Sequence, residues 1–217
     1  MEKQKFKLII FDLDGTLVDT SEGIYDCFNF ALKSFGVPEP YNFDGVIGGP
    51  LFDNFKNHFG LSESDAKQAV YVYRQRYAEV GIIKSKLYDG MAETLSTLKA
   101  NGFKLAVATL KAERLAVPLL EKLDVAKFFD VIHGVDDNDK LTKADLINLC
   151  LNELNVKSSD TVLVGDSKHD AVGADGAGVA FLPVTYGFGF KDEKDLTNIN
   201  HIFIANSAND LIKYFDN

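Results

Sequence analysis

At 217 residues the chain can bury a substantial core as one domain or two small ones, and 46% hydrophobic with 25% charged residues is an ordinary globular balance. A net charge of −9 and a pI near 4.9 argue against a nucleic-acid polymer or an anionic membrane as partner. No apolar run approaches the roughly 20 residues needed to span a bilayer.

Residues 1–5 lead straight into an apolar run and leave no room for a signal peptide. That run, Lys-Leu-Ile-Ile-Phe over 7–11, reads as a buried strand and stops at an acidic turn holding Asp12, Asp14 and Gly15. A helix follows, with Asp19 as cap and Glu22 placed for a capping box; Ile24, Phe28, Ala31, Leu32 and Phe35 share one face. A glycine-rich loop through Gly45, Gly48 and Gly49 leads to a short helix carrying Leu51, Phe52, Phe55 and Phe59. Ser62 and Asp65 open a third helix bearing Ala66, Ala69, Val70, Tyr73 and Tyr77. Residues 18–84 therefore read as helical, without a strand. Cys27 and Cys150, each in an apolar helical pattern, read as reduced core thiols of a cytoplasmic protein.

An α/β pattern then resumes. It predicts a helix over 91–101, a strand over 104–108, a helix over 113–123 that Pro118 should kink, and a strand over 130–133. A helix over 143–154, a strand over 161–164, a small-residue helix over 170–177, strands over 180–184 and 201–205, and a helix over 208–215 complete it. Alternating strands and helices imply a doubly wound parallel sheet. The acidic run 136–139 reads as a solvated loop, and 186–195 as a glycine-rich charged one.

Side chains on an extended chain alternate, so Asp12 and Asp14 leave the first strand pointing roughly the same way, at the sheet edge where ligands bind. A solvated Asp turn would not explain two acids flanking a buried strand end. A helix–loop–helix calcium loop needs Gly at its sixth position after a helix, whereas Gly15 is fourth after a strand. A glycosidase pair needs its carboxyls on opposite sides of a sugar ring. Adjacent carboxylates repel unless a cation lies between them, and hard oxygen donors favour Mg²⁺. Three later elements bring further polar groups to the same edge: Thr109, Lys143, and Asp166 with Asp170. Taken singly, Thr109 and Asp166 read as helix caps and Lys143 as a solvated lysine. Taken together, the four carboxylates make an oxygen-ligand set for one Mg²⁺.

The stretch Asp-Leu-Asp-Gly-Thr-Leu-Val-Asp over 12–19 resembles the first signature of haloacid dehalogenase superfamily phosphatases, and Thr109, Lys143 and Asp166 with Asp170 resemble the other three in order. The resemblance covers the whole chain. It implies a Rossmann-like catalytic core of 1–17 and 85–217, with 18–84 as a helical cap inserted after the first motif. It also implies Asp12 as nucleophile, Asp14 as acid and base, Thr109 and Lys143 as phosphate-binding and charge-neutralising groups, and Mg²⁺ held by Asp12, Asp14 through its carbonyl, Asp166 and Asp170. Asp14 sets the chain apart from the dehalogenases. The segments 48–51, 73–81 and 88–91 look most like phosphoglycolate phosphatase-like proteins and their 5′-nucleotidase-like branch. A small phosphorylated metabolite is then the expected partner, phosphoglycolate or a nucleoside 5′-monophosphate. A sugar-phosphate mutase and a non-hydrolytic phospho-acceptor protein remain the alternatives. Leu110 and Ala144 depart from the residues usual in the family and leave every catalytic group in place.

Overall fold

The computed structural model describes residues 6–136 and 140–216. Strand β1, Leu8–Phe11, is buried along its whole length because it forms the centre of a five-stranded sheet. The order is β5, β4, β1, β6, β7, with β4 at Lys104–Ala112, β5 at Val131–Val135, β6 at Thr161–Gly165 and β7 at Ala180–Pro183. All neighbours run parallel.

The two faces of β1 divide its side chains by parity. Ile9 and Phe11 pack with Leu95 and Leu98 of α4 (Met91–Ala100), Leu119 and Leu120 of α5 (Glu113–Lys122) and Leu211 of α8 (Ala208–Asp216). Leu8 and Ile10 pack with Leu146, Ile147 and Cys150 of α6 (Lys143–Leu154) and Ala174 of α7 (Lys168–Ala177). A fully buried aliphatic or aromatic side chain contributes about 1.5–3 kcal/mol. Burial on both faces explains why the strand reads as a continuous apolar run. The doubly wound parallel sheet expected from the sequence is present.

Residues 18–84 contain α1 (Ser21–Ser34), α2 (Leu51–Asp53) continued by a π-helical turn over Asn54–His58, and α3 (Glu63–Glu79). They gather an apolar cluster of their own, in which the Phe28 ring lies 5.0 Å from Phe55 and 4.9 Å from Tyr73. Ala112 and Leu115 extend that cluster onto the sheet-bearing part. Among the described residues no helix is long and apolar enough to cross a membrane. Cys27 and Cys150 are buried and free.

Several local expectations are corrected. The helical stretch does begin with a strand: β2, Val18–Asp19, pairs antiparallel with β3, Lys86–Leu87, so the outgoing and returning chains are clipped together. Asp19 does not cap α1 through a capping box. Its Oδ1 accepts from the amide and hydroxyl of Ser21, Thr20 occupies the cap position, and Glu22 lies toward Lys84 at 3.4 Å. Pro118 sits inside an unbroken α5; the carbonyl it deprives, that of Arg114, belongs to an exposed residue. The stretch 201–205 forms one bridge, Ala205 to Val184, rather than a strand. It lies along β7, whose Pro183 has no N–H to donate to a continuous ladder. Asp136 is exposed, while the rest of the acidic run and residues 1–5 lie outside the described residues.

The Phe28 ring meets those of Phe43, Phe55, Phe59 and Tyr73 in the helical cluster, so truncating it leaves a cavity that rigid neighbours cannot fill. Phe28→Ala is expected to cost about 3–5 kcal/mol, read as a lowered urea midpoint.

Candidate active site

Register sets the site. Phe11 pairs with Val107 on one side and Val164 on the other, so Asp12 comes level with Ala108 and Gly165. Thr109 and Asp166 each stand one residue farther on, at the same carboxyl edge. Strand order reverses there, since β4 and β6 flank β1, and this is where an open α/β sheet forms its binding crevice.

Lys143 is the first residue of α6, and its buried ammonium is the charge around which the carboxylates gather. It donates to Asp12 Oδ1 at 2.6 Å and to the Ala108 carbonyl at 3.0 Å, and it lies 2.8 Å from Asp170 Oδ1. A Cβ on Gly173 of α7 would overlap the Lys143 stem, so that glycine makes the path for it. Burial alone would lower the Lys143 pKa, but Asp12 and Asp170 hold it above the usual lysine range.

Asp12, Asp166 and Asp170 are buried and bring ligand oxygens within 4.8 Å of one another. Two unit charges at that spacing repel by roughly 3 kcal/mol at an effective dielectric near 20. Burial first, then Asp170 and Asp166, push Asp12 up to about 8 against the pull of Lys143. Burial and Asp170 raise Asp166 to about 6, with the amides of Gly189 and Phe188 opposing.

The carboxylate oxygens of this group keep acceptor capacity that a cation could use. Asp166 Oδ2 accepts from the amides of Phe188 at 2.7 Å and Gly189 at 2.9 Å, leaving Oδ1 with only a long 3.4 Å contact from the Thr16 hydroxyl. Asp170 Oδ2 accepts from the amide and hydroxyl of Ser167, whereas the buried Oδ1 faces the Lys143 ammonium at 2.8 Å and keeps a second lone pair to offer. Three hard oxygen donors with spare acceptor capacity fit a divalent ion such as Mg²⁺. Asp166 is not the cap of α7. Ser167 fills that place in a capping box with Asp170, which frees Asp166 for the cluster.

Gly15, at φ +88°, turns the chain sharply after Asp14, and a Cβ there would strike Asp166. The Asp14 carboxylate is not part of the three-acid group. Lys111 Nζ reaches its two oxygens at 3.0 and 3.1 Å and lies 4.0 Å from the Tyr77 ring centroid. Burial works against charge on Lys111, yet Asp14 and Tyr77 keep its pKa above the ordinary lysine value. Thr109 is buried, and its hydroxyl accepts from the Lys111 amide at 3.1 Å.

Lys111 and the Phe188 and Gly189 amides are not among the site groups expected from the sequence. Lys111 had a signal: two residues beyond Thr109 on an extended chain, it shares the side that Thr109 presents. Strand β4 runs on to Ala112 with a register break after Thr109, whereas a strand ending at Ala108 was expected. Backbone donors in a loop leave no such mark in the sequence.

Asp12, Asp14, Thr109 and Lys111 line a cleft of about 800 Å³, its open mouth included. Its opposite wall comes from the helical segment, with Phe28, Tyr73, Arg74, Tyr77 and the loop through Gly48 and Gly49.

A family model described as Haloacid dehalogenase-like hydrolase matches residues 9–184. The chain belongs to this family. A 5′-nucleotidase of Pseudomonas aeruginosa is 35% identical over 192 residues, covering 87% of each protein. The tyrosine-protein kinase PtkA of Mycobacterium tuberculosis is 35% identical over 208 residues, 94% of this chain and 71% of the kinase. Proteins named phosphoglycolate phosphatase match too. The crystal structure of a predicted phosphatase from Clostridium acetobutylicum superposes with a TM-score of 0.90 at 35% identity, covering 97% of this chain and 98% of that one.

Asp12 and Asp166 have folded pKa values above their unfolded ones, so the folded state binds more protons between pH about 4 and 8. Their contribution to stability is therefore lost as pH rises through about 6 and then about 8. Urea melts of chelator-treated protein are expected to weaken across that window, and Mg²⁺ to flatten the slope. A slope indifferent to Mg²⁺ would separate these carboxylates from any metal.

Proposed function

We propose that this family member is a Mg²⁺-dependent phosphatase that hydrolyses a small phosphomonoester, phosphoglycolate or a nucleoside 5′-monophosphate, through an aspartyl-phosphate on Asp12. One observation carries the reading: a buried carboxylate, Asp12, held by Lys143 among two further carboxylates, opens onto a cleft that also holds Asp14. The chain is a phosphoric monoester hydrolase, and the names of its relatives agree with that chemistry.

In the first step a carboxylate oxygen of Asp12 attacks phosphorus, and the bond to the leaving oxygen breaks as Asp14 gives it a proton. In the second, Asp14 takes a proton from water, whose oxygen displaces Asp12 and releases inorganic phosphate. Thr109 hydrogen-bonds a phosphoryl oxygen. Lys143 stabilises the negative charge that builds between Asp12 and the phosphoryl group. Asp12, Asp166, the carbonyl of Asp14 and Asp170, bound directly or just behind the others, would hold Mg²⁺. The ion supplies charge neutralisation at the transferring group. Unaided hydrolysis of phosphate monoesters is so slow that enzymes supply up to about 10²¹-fold, most of it through positioning and charge.

Residues 18–84 act as a cap over a core of 1–17 and 85–217. Their own apolar cluster and the β2–β3 clip at both crossings support that division. Closure of the cap excludes water while the phosphoryl group moves to Asp12. The free buried cysteines fit a cytoplasmic setting. Likeness to a tyrosine-protein kinase favours one second reading, transfer from Asp12 to an acceptor other than water.

Phosphate release is to be measured with Mg²⁺ or chelator across phosphoglycolate, nucleoside 5′-monophosphates, sugar phosphates and pyrophosphate. Selective, Mg²⁺-dependent turnover is expected, falling by roughly 10³-fold or more in Asp12→Asn. Undiminished turnover in that variant would overturn the mechanism. A stable phosphorylated Asp12 without phosphate release would favour the transfer reading.

A further inference from the structure

We propose that Lys111 is a positioning residue for Asp14 and that Tyr77 couples it to the helical cap, so that the acid–base carboxylate is aligned when the cap is seated. The proposal rests on the phosphatase reading above. Lys111 stands within the register break of β4, between Thr109 and Ala112, with its side chain only 7% exposed although it lines an open cleft. Its ammonium is nearly equidistant from the two oxygens of Asp14, at 3.0 and 3.1 Å. Such a two-pronged contact fixes the rotation of a carboxylate about its terminal bond, which a contact to one oxygen would leave free.

The other side of the ammonium meets the face of Tyr77, 4.0 Å from the ring centroid. Tyr77 belongs to α3 and is fully buried, stacked on Tyr73 with ring planes 12° apart. Its hydroxyl lies 3.2 Å from Ser85 Oγ, which donates to the Gly81 carbonyl at 3.1 Å. A Cβ on Gly81 would overlap the Tyr77 ring, so ring and returning crossing are packed as one unit. Ser85 directly precedes β3, the half of the clip that carries the chain back to the sheet. A continuous line of contacts thus runs from the crossing through Tyr77 and Lys111 to Asp14. Movement of the crossing moves the ring, and Lys111 carries the change to the carboxylate.

The test compares kcat/KM of the full chain with Mg²⁺ on p-nitrophenyl, phenyl and benzyl phosphate, whose leaving oxygens need increasing protonation. Lys111→Met should lose roughly tenfold or more on benzyl than on p-nitrophenyl phosphate. Lys111→Arg should recover part of that skew, and Tyr77→Leu should reproduce it, with circular dichroism confirming the folded state. A uniform loss across the series, or a rise in KM alone, would make Lys111 a binder of substrate and overturn the proposal. A flat profile in Tyr77→Leu would overturn the coupling to the cap. Absence of Asp12-dependent phosphate release from the unaltered chain would instead overturn the phosphatase reading, and this proposal with it.

Discussion

The buried Lys143 ammonium, held between Asp12 and Asp170 at the carboxyl edge of the sheet, is the contact on which the rest of the site depends. Removing one partner of a buried ion pair leaves an uncompensated charge, at a cost of roughly 3–5 kcal/mol. Lys143 has one positive charge for three neighbouring carboxylates, and burial together with this imbalance raises the pKa values of Asp12 and Asp166. The fold therefore keeps a deficit of positive charge at the point where an anionic group is to be handled. A divalent ion corrects the deficit and, with Lys143, gives a strongly acidic chain a local site that attracts phosphate.

Geometry follows from two constraints that have nothing to do with chemistry. Packing on both faces of β1 forces its register with β4 and β6, and that register brings Thr109 and Asp166 to one residue beyond the level of Asp12. Close approach of backbone then decides where glycine must stand. Gly173 lets the Lys143 stem pass beneath α7, and Gly187 lets the loop before Phe188 close onto Asp166 and Gly15. These glycines hold no ligand, yet a side chain at either would displace a group that does.

Much of this was legible in the sequence. An unbroken apolar run marked β1 as a buried strand, and the α/β pattern placed a helix over Lys143–Leu154 with its limits as observed. Acids at strand ends were visible because apolar strands make their termini conspicuous. The omissions have physical causes. The spacing of Lys111 from Thr109 shows in the sequence, but its burial does not, since that depends on Tyr77, 34 residues earlier in the chain and on another element. The amides that fix Asp166 belong to loop backbone, which carries no residue-type signature. The β2–β3 clip is two residues long on each side, shorter than any periodicity can register. Over 201–205 the local β-pattern was overridden by a proline in the neighbouring strand.

The central claim is that Asp12, Asp166 and Asp170 form a divalent-cation site balanced by Lys143. Calorimetric titration of the full chain with Mg²⁺ tests it most directly, beside Asp166→Asn and Asp170→Asn. Uptake of one Mg²⁺ per chain is predicted, with affinity falling by roughly tenfold or more in Asp166→Asn and by less in Asp170→Asn. Affinities unchanged in both variants, or no uptake by the unaltered chain, would contradict it.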